Sequence, residues 1–320
     1  MNKFAKFFIG VIISLFIIWF LIANIQLSDL LNSFSSLSFK IIFLAFVFYL
    51  LSYVFRALRF RVLLNKELGL TKLFSIVCIH NFFAQIMPAR IGEVSYILQI
   101  RKSGVKIGKN ISSIAMARIT DLIVILVIFF IGLMATPLLL NQYFEVVIAA
   151  LALLILVLIV FFLIVFKTEI FIKFITQLKS LFKLKSTKYF SFFEDALHEF
   201  KAHRSKKVIL LLILYSMAIW VSLYLTMFLL INSLFLQISF LNVFLIASIP
   251  VFLSLLPING FAGFGTSEAG FLFPLLLFGI AVPEATAAGF MVHIMQLVYL
   301  IISGLIGYII SFFITNNSKN

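Results

Sequence analysis

The chain has 320 residues, 64% of them apolar and only 11% charged, with a net charge of +14 and a mean hydropathy of +1.23. Soluble domains carry about 25% charged residues, so this composition excludes a water-soluble globule and points to a bilayer. The excess of Lys and Arg lies in short loops between apolar runs, where membrane topology accounts for it, and no nucleic-acid partner is expected. Cys78 is the only cysteine, which excludes a disulfide framework and a cysteine-based metal cluster.

Taken in chain order, Lys3 and Lys6 precede an apolar run at 7–23. That run is longer than the usual core of a signal peptide and reads as a retained first helix. A membrane span needs about 20 apolar residues. Runs at 41–60, 112–135, 144–166, 208–231 and 285–313 meet or approach that length. Two other apolar stretches do not. Leu73 to Met87 ends at Pro88, and its return, Val94 to Ile100, meets Arg101 and Lys102. Val243 to Leu256 ends at Pro257, and its return from Ala269 stops near Ile280. These lengths predict two re-entrant hairpins, 73–100 and 241–280.

Of the 25 Lys and Arg residues, Lys40 alone falls on the outer side of this arrangement. Basic loops stay cytoplasmic, so both termini are expected inside. The first hairpin then enters from the cytoplasm and the second from outside. Each has an apolar leg ending in Pro, a Gly-containing turn and a Glu, namely Glu93 and Glu268. Asn81 and Pro250 each stand seven positions before the terminal Pro. Gly- or Pro-interrupted segments at matching places in two halves are the signature of inverted-repeat transporters. The expected fold is all-α: a polytopic membrane helical bundle of about six spanning helices plus two oppositely oriented re-entrant hairpins, forming one domain over 1–320. Within it, 167–207 alternates apolar and charged residues at helical spacing and reads as a cytoplasmic amphipathic connector.

Irregular backbone at membrane depth survives only where protein or a water-filled cavity satisfies it, so the hairpin tips should line a cavity. Arg90, Glu93 and Glu268 sit on those tips, and Asn81 lies two turns before the first. Arg118 and Asp121 are one helical turn apart near the start of a span. Buried ionisable groups cost roughly 2.5–3.5 kcal/mol each on insertion scales and usually pair. The candidate substrate-binding set is therefore Asn81, Arg90, Glu93, Arg118, Asp121 and Glu268, joined by Arg56 and Arg59. Two readings of these charges stay open. They receive a charged headgroup, or they form locking ion pairs, Arg90 with Glu93 and Arg118 with Asp121. Glu268 has no basic residue near it in sequence and is expected to reach Arg90 or Arg118. Arg56, Arg59 and Arg61 close a span, where snorkelling to headgroups and phosphate capture are the alternatives. His80 and His293 read as hydrogen-bonded packing residues, and Ser303 and Gly307 as a site of close helix packing.

Catalytic and cofactor motifs are missing. Gly263-Phe-Gly265 follows no strand and lacks the third glycine of a dinucleotide fingerprint. Gly265-Thr-Ser267-Glu-Ala-Gly270 has the wrong spacing for a nucleophile elbow. No cofactor is expected.

Three ordered motifs are similar to a known family: Asn81…Pro88-Ala-Arg90-Ile-Gly92-Glu93, then Arg118-Ile-Thr-Asp121, then Pro257…Gly263-Phe-Gly265-Thr-Ser-Glu268. Together they resemble the flippase-like membrane domain of lysylphosphatidylglycerol synthases and its stand-alone relatives, over nearly the whole chain. Many members have Glu-Arg before the Asp of the second motif; here Ala117 takes the acidic position. The resemblance implies a translocator of a polar lipid or lipid-linked headgroup in a bacterial or archaeal cytoplasmic membrane. Expected partners are an anionic or aminoacylated phospholipid or a polyprenyl-linked group. A separate soluble transferase and a second copy of the chain are further candidates. The full synthases continue into a transferase domain, and with this chain ending at Asn320 no enzymatic activity is expected. Alternatives are a non-catalytic membrane subunit of a lipid- or glycan-modifying enzyme, or an ion-coupled solute transporter.

The topology is testable. On a Cys78→Ser background, cysteine at Gly104 should label only from the cytoplasmic side and cysteine at Asn232 only from outside. Labelling from the opposite side at either position refutes the orientation.

Overall fold

The computed structural model describes residues 38–87, 93–137, 144–169, 205–234, 236–255 and 261–317, with positions 142, 173, 177 and 199. The expected helix at 7–23, the Pro88–Gly92 tip with Arg90, and most of the connector lie outside these residues.

Among the described residues all regular structure is helical. Nine α-helices follow one another: α1 Phe39–Leu63, α2 Leu70–Ile86, α3 Glu93–Lys102, α4 Ile107–Met134, α5 Phe144–Phe166, α6 Lys206–Asn232, α7 Phe240–Leu255, α8 Thr266–Leu277 and α9 Val282–Asn317. A 3₁₀ turn, Phe261–Gly263, precedes α8. Five of these, α1, α4, α5, α6 and α9, are long and apolar enough to cross a bilayer. They coincide with the five runs expected after residue 40, and the protein is a multi-pass membrane bundle. The other four are shorter. At 1.5 Å per residue, α2 is about 26 Å long, α7 about 24 Å, α8 about 18 Å and α3 about 15 Å, against a hydrocarbon core of about 30 Å.

The polarity of the packing is inverted relative to a soluble protein. On α1, Ala45, Tyr49, Ser52, Tyr53, Ala57, Phe60 and Leu63 form a buried helical stripe, while Phe43, Leu44, Val47 and Leu51 are exposed on the other side. Apolar outside and small or hydroxylated inside is what lipid as solvent selects. Because lipid offers no hydrophobic drive for helix pairing, polar cross-links matter. The Thr226 hydroxyl of α6 donates to the Ala45 carbonyl of α1 at 3.2 Å, and the Tyr299 hydroxyl of α9 donates to Ile42 of α1 at 2.8 Å. Ser75 of α2 donates to the Gly307 carbonyl of α9 at 2.7 Å.

Small residues set how closely the elements approach. A Cβ at Gly307 would stand 2.5 Å from the Cys78 Cβ, which bears out the packing role read for that position. A Cβ at Gly132 of α4 would come within 2.6 Å of the Leu245 nitrogen of α7. At Gly270 of α8 it would meet the Pro250 Cα of α7 at 2.7 Å. Pro250 and Pro274 both lie inside helices, so the α7–α8 pair carries two interrupted hydrogen-bond ladders. In this way α8 is wedged between α7 and α9, with α7 in turn against α4.

The Gly270 contact involves backbone, which cannot move away as a flexible side chain would. Gly270→Ala should lower thermal stability in detergent by about 1–3 kcal/mol. Gly69→Ala, where a Cβ meets nothing within 4 Å, should leave it nearly unchanged. Equal melting of the two variants and the parent would refute this close approach.

Candidate functional site

The short helices leave space at the middle of the bundle. A cavity of about 330 Å³ and a second of about 140 Å³ adjoin there, sharing Arg56, Asn81, Gln85, Trp220, Val251 and Ser254. Four helices therefore contribute polar groups to one space: α1 through Arg56, α2 through the amides of Asn81 and Gln85, α6 through Trp220 and α7 through Ser254. The larger cavity adds Arg118 and Asp121 of α4. The smaller adds Tyr49, Tyr53, His293 and Gln296 and an apolar wall that includes Leu223, Met227, Phe271 and Leu300.

Asp121 is the electrostatic centre. Arg59 grips its carboxylate with two nitrogens, Nη1 at 2.5 Å from Oδ1 and Nη2 at 3.0 Å from Oδ2. The Trp220 indole N–H donates to Oδ1 at 2.9 Å. Arg59 Nη1 also donates to the Ser216 hydroxyl at 2.8 Å, which itself donates to Thr120 at 3.2 Å. Helices α1, α4 and α6 are thus joined by one charge-assisted network. Arg59 is 1% exposed and Asp121 4%. One expectation is corrected here. Arg59 does not snorkel or wait for a phosphate, because its guanidinium is enclosed by protein and held by Asp121. Asp121 gives its carboxylate to Arg59, 62 residues away, and Arg118 acts on the same carboxylate electrostatically.

Among the described residues, the charged ones lining these cavities and the small pocket beside Arg59 are Arg56, Arg59, Arg118 and Asp121. Arg56 lies one turn before Arg59 on the same side of α1, and its Nε has no hydrogen-bond partner among the described residues. Arg118 lies one turn before Asp121 and lines the larger cavity. Guanidinium forks of this kind suit an anionic oxygen group.

Glu268 was expected to reach Arg90 or Arg118, and Arg90 lies outside the described residues. Glu268 is fully buried in the first turn of α8, and the close partner shown for it is His293 of α9, with Nδ1 2.6 Å from Oε1. The backbone N–H of Gly265 donates to its other oxygen at 2.7 Å, the return half of a capping box. His293 Nε2 lies 3.0 Å from the Ala262 carbonyl. Ala262 has φ +52° and is followed by Gly263 at +78° and Gly265 at +84°, so the turn into α8 is left-handed and places a non-glycine residue where Cβ is disfavoured. Glu268 thus stands behind His293, and His293 faces the cavity.

Of the expected site residues, the structure brings Arg56, Asn81, Arg118 and Asp121 to one cavity and puts Arg59 just behind it. Glu93 begins α3, and Arg90 lies outside the described residues. Gln85, Trp220, His293 and Gln296 were missed. The usable signal was spacing: Gln85 follows Asn81 by one turn, and Gln296 follows His293 by one turn, each on an otherwise apolar helix.

A helical membrane bundle around a cavity lined by arginines and amides defines the class. Within that class, the family described as the lysylphosphatidylglycerol synthase TM region matches residues 7–304, and the chain belongs to it. No curated protein and no solved structure matches the chain.

Removing one partner of a buried pair leaves the other charge uncompensated, at about 3–5 kcal/mol. Asp121→Asn should therefore lower the melting temperature strongly. The apolar pair Arg59→Met with Asp121→Leu should recover much of that loss. A melting temperature of Asp121→Asn equal to the parent's would refute a structural role for the pair.

Proposed function

We propose that the protein moves a lipid with an anionic headgroup between the leaflets and is not itself an enzyme. One observation carries this reading: a cavity deep in the bundle has arginines and amides on one side and an apolar wall on the other. At about 330 Å³ the larger compartment lies at the lower end of ligand-pocket volumes, suited to a headgroup rather than a whole lipid. The apolar wall suits the start of an acyl or prenyl chain. Arg56 and Arg118 would take the anionic oxygens, and Asn81 and Gln85 the neighbouring hydroxyl or ester groups.

In this reading the pairs α2–α3 and α7–α8 are re-entrant hairpins from opposite faces, with both termini cytoplasmic. Their short helices would let a headgroup reach the cavity from either side without crossing hydrocarbon unshielded. Membership of the family supports a lipid-related role.

A hydrogen bond to a charged group contributes about 1.5–3 kcal/mol, so its loss corresponds to about tenfold to hundredfold in rate or affinity. Arg56→Gln should reduce leaflet exchange of labelled anionic phospholipid in proteoliposomes by that factor while melting like the parent. Normal exchange by a folded Arg56→Gln, Arg118→Gln double variant would refute the site and move the assignment to a membrane subunit of a lipid-modifying enzyme.

A further inference from the structure

The hydrogen bonds around His293 fix how many protons it shares with Glu268. The Ala262 carbonyl can only accept, so His293 Nε2 must carry a hydrogen and donate to it across 3.0 Å. Nδ1 and Glu268 Oε1 are 2.6 Å apart, which requires one proton between them. Either Nδ1–H donates to an ionised carboxylate, or a protonated carboxyl donates to Nδ1. Glu268 Oε2 is already occupied by the Gly265 N–H at 2.7 Å and gives no alternative. Both arrangements contain the same number of protons and carry no net charge, as suits groups 0% and 4% exposed. Removing that proton sets two lone pairs against each other, or turns the ring so that Ala262 loses its donor.

Ala262 is the left-handed residue of the turn that leads into α8, and both it and Gly263 line the cavity. The geometry points to a proton-binding gate: the Glu268–His293 pair holds residues 262–265, at the entry to α8, against α9 while it carries its proton and releases them when the proton leaves to water. This rests on the translocator reading and adds to it a coupling ion. The covalent change is one Nδ1–H or carboxyl O–H bond, which breaks as a water molecule takes the proton and re-forms when water returns it to the pair.

Among the described residues, the following groups face the pair. From α8 there is Glu268 itself. The cavity that His293 lines presents Arg56, Tyr49 and Tyr53 from α1. Helices α2, α6 and α7 present Asn81 and Gln85, Trp220 and Ser254, which do not titrate in the physiological range. Arg118 and Asp121 of α4 line the adjoining compartment.

Glu268→Gln separates proton coupling from packing. The amide oxygen can accept from Gly265, its N–H can donate to Nδ1, and His293 Nε2–H still donates to Ala262, so the turn is held with no exchangeable proton. His293→Gln removes the clamp. Two readouts test the gate. The first is a pH-difference infrared spectrum of the purified protein, in which the parent should show a carboxyl or imidazole band that is lost in both variants. The second is leaflet exchange of labelled anionic phospholipid with a pH dye trapped in the vesicles. Parent exchange should vary by up to about tenfold per pH unit, the limit for one linked proton, and carry protons with it. Glu268→Gln should melt like the parent and lose that pH dependence.

A parent spectrum without the band overturns the proposal whatever the exchange assay gives. Exchange that is present but moves no protons, or is equally pH-dependent in Glu268→Gln, overturns the coupling and leaves the translocator reading intact. Exchange absent with every lipid overturns the translocator reading and with it the coupling, while the infrared band still reports proton binding independently.

Discussion

A carboxylate inside an apolar bundle has to be compensated by charge and hydrogen bonds, and the answer at Asp121 organises the rest of the molecule. Its two oxygens take both terminal nitrogens of Arg59 and the indole of Trp220. These partners come from α1 and α6 and Asp121 itself from α4, so satisfying one carboxylate sets the rotation of three spanning helices at once. Turning α1 far enough to expose Arg59 would strand two charges in low dielectric, where Coulomb and desolvation energies are far larger than in water. With that rotation fixed, Arg56 follows one turn away and faces the cavity.

The cavity lies where long and short helices meet. Long helices α1, α6 and α9 lay hydroxyls against one another's backbones, as Thr226 does against the Ala45 carbonyl and Tyr299 against that of Ile42. Helices α2, α7 and α8 are shorter than these. Asn81 and Gln85 of α2, Arg56 of α1, Trp220 of α6 and Ser254 of α7 supply the polar lining they share. The close seats at Gly270 and Gly132 hold α7 and α8 at the rim of this space.

The spanning helices were legible because lipid imposes a crude rule, about 20 apolar residues, that a single sequence displays directly. The run at 41–60 became Phe39–Leu63, and 208–231 became Lys206–Asn232. Residue types at the site were also legible, since Asn81, Arg118 and Asp121 are polar groups where polarity is costly. Their pairing was not. Arg59 and Arg61 look alike in a basic helix end, and only the neighbouring helices decide that one is buried against Asp121. Glu268 and His293 stand 25 positions apart on different helices, and no local pattern signals that the ring of one meets the carboxylate of the other. Hydropathy reads depth, and pairing needs the rotation and neighbours of each helix.

The two halves of the cavity handle charge in different ways, and this bears on how they could act together. On the side of α4, Arg56, Arg118 and the Arg59–Asp121 pair are the charged groups among the described residues. On the side of α9, Glu268 and His293 face each other across 2.6 Å. Arg56 belongs to both compartments, so an anion held there would act on both. Negative charge in a shared low-dielectric space favours retention of a nearby proton, and loss of the proton disfavours the anion by the same free energy, because linkage is reciprocal. Recognition at Arg56 and clamping at Ala262 would then be two readings of one equilibrium. The loaded cavity would hold residues 262–265 in place, and departure of the headgroup would help to release them. No rigid pathway between the sites is needed for this, only a common cavity and a turn strained enough to have a second position.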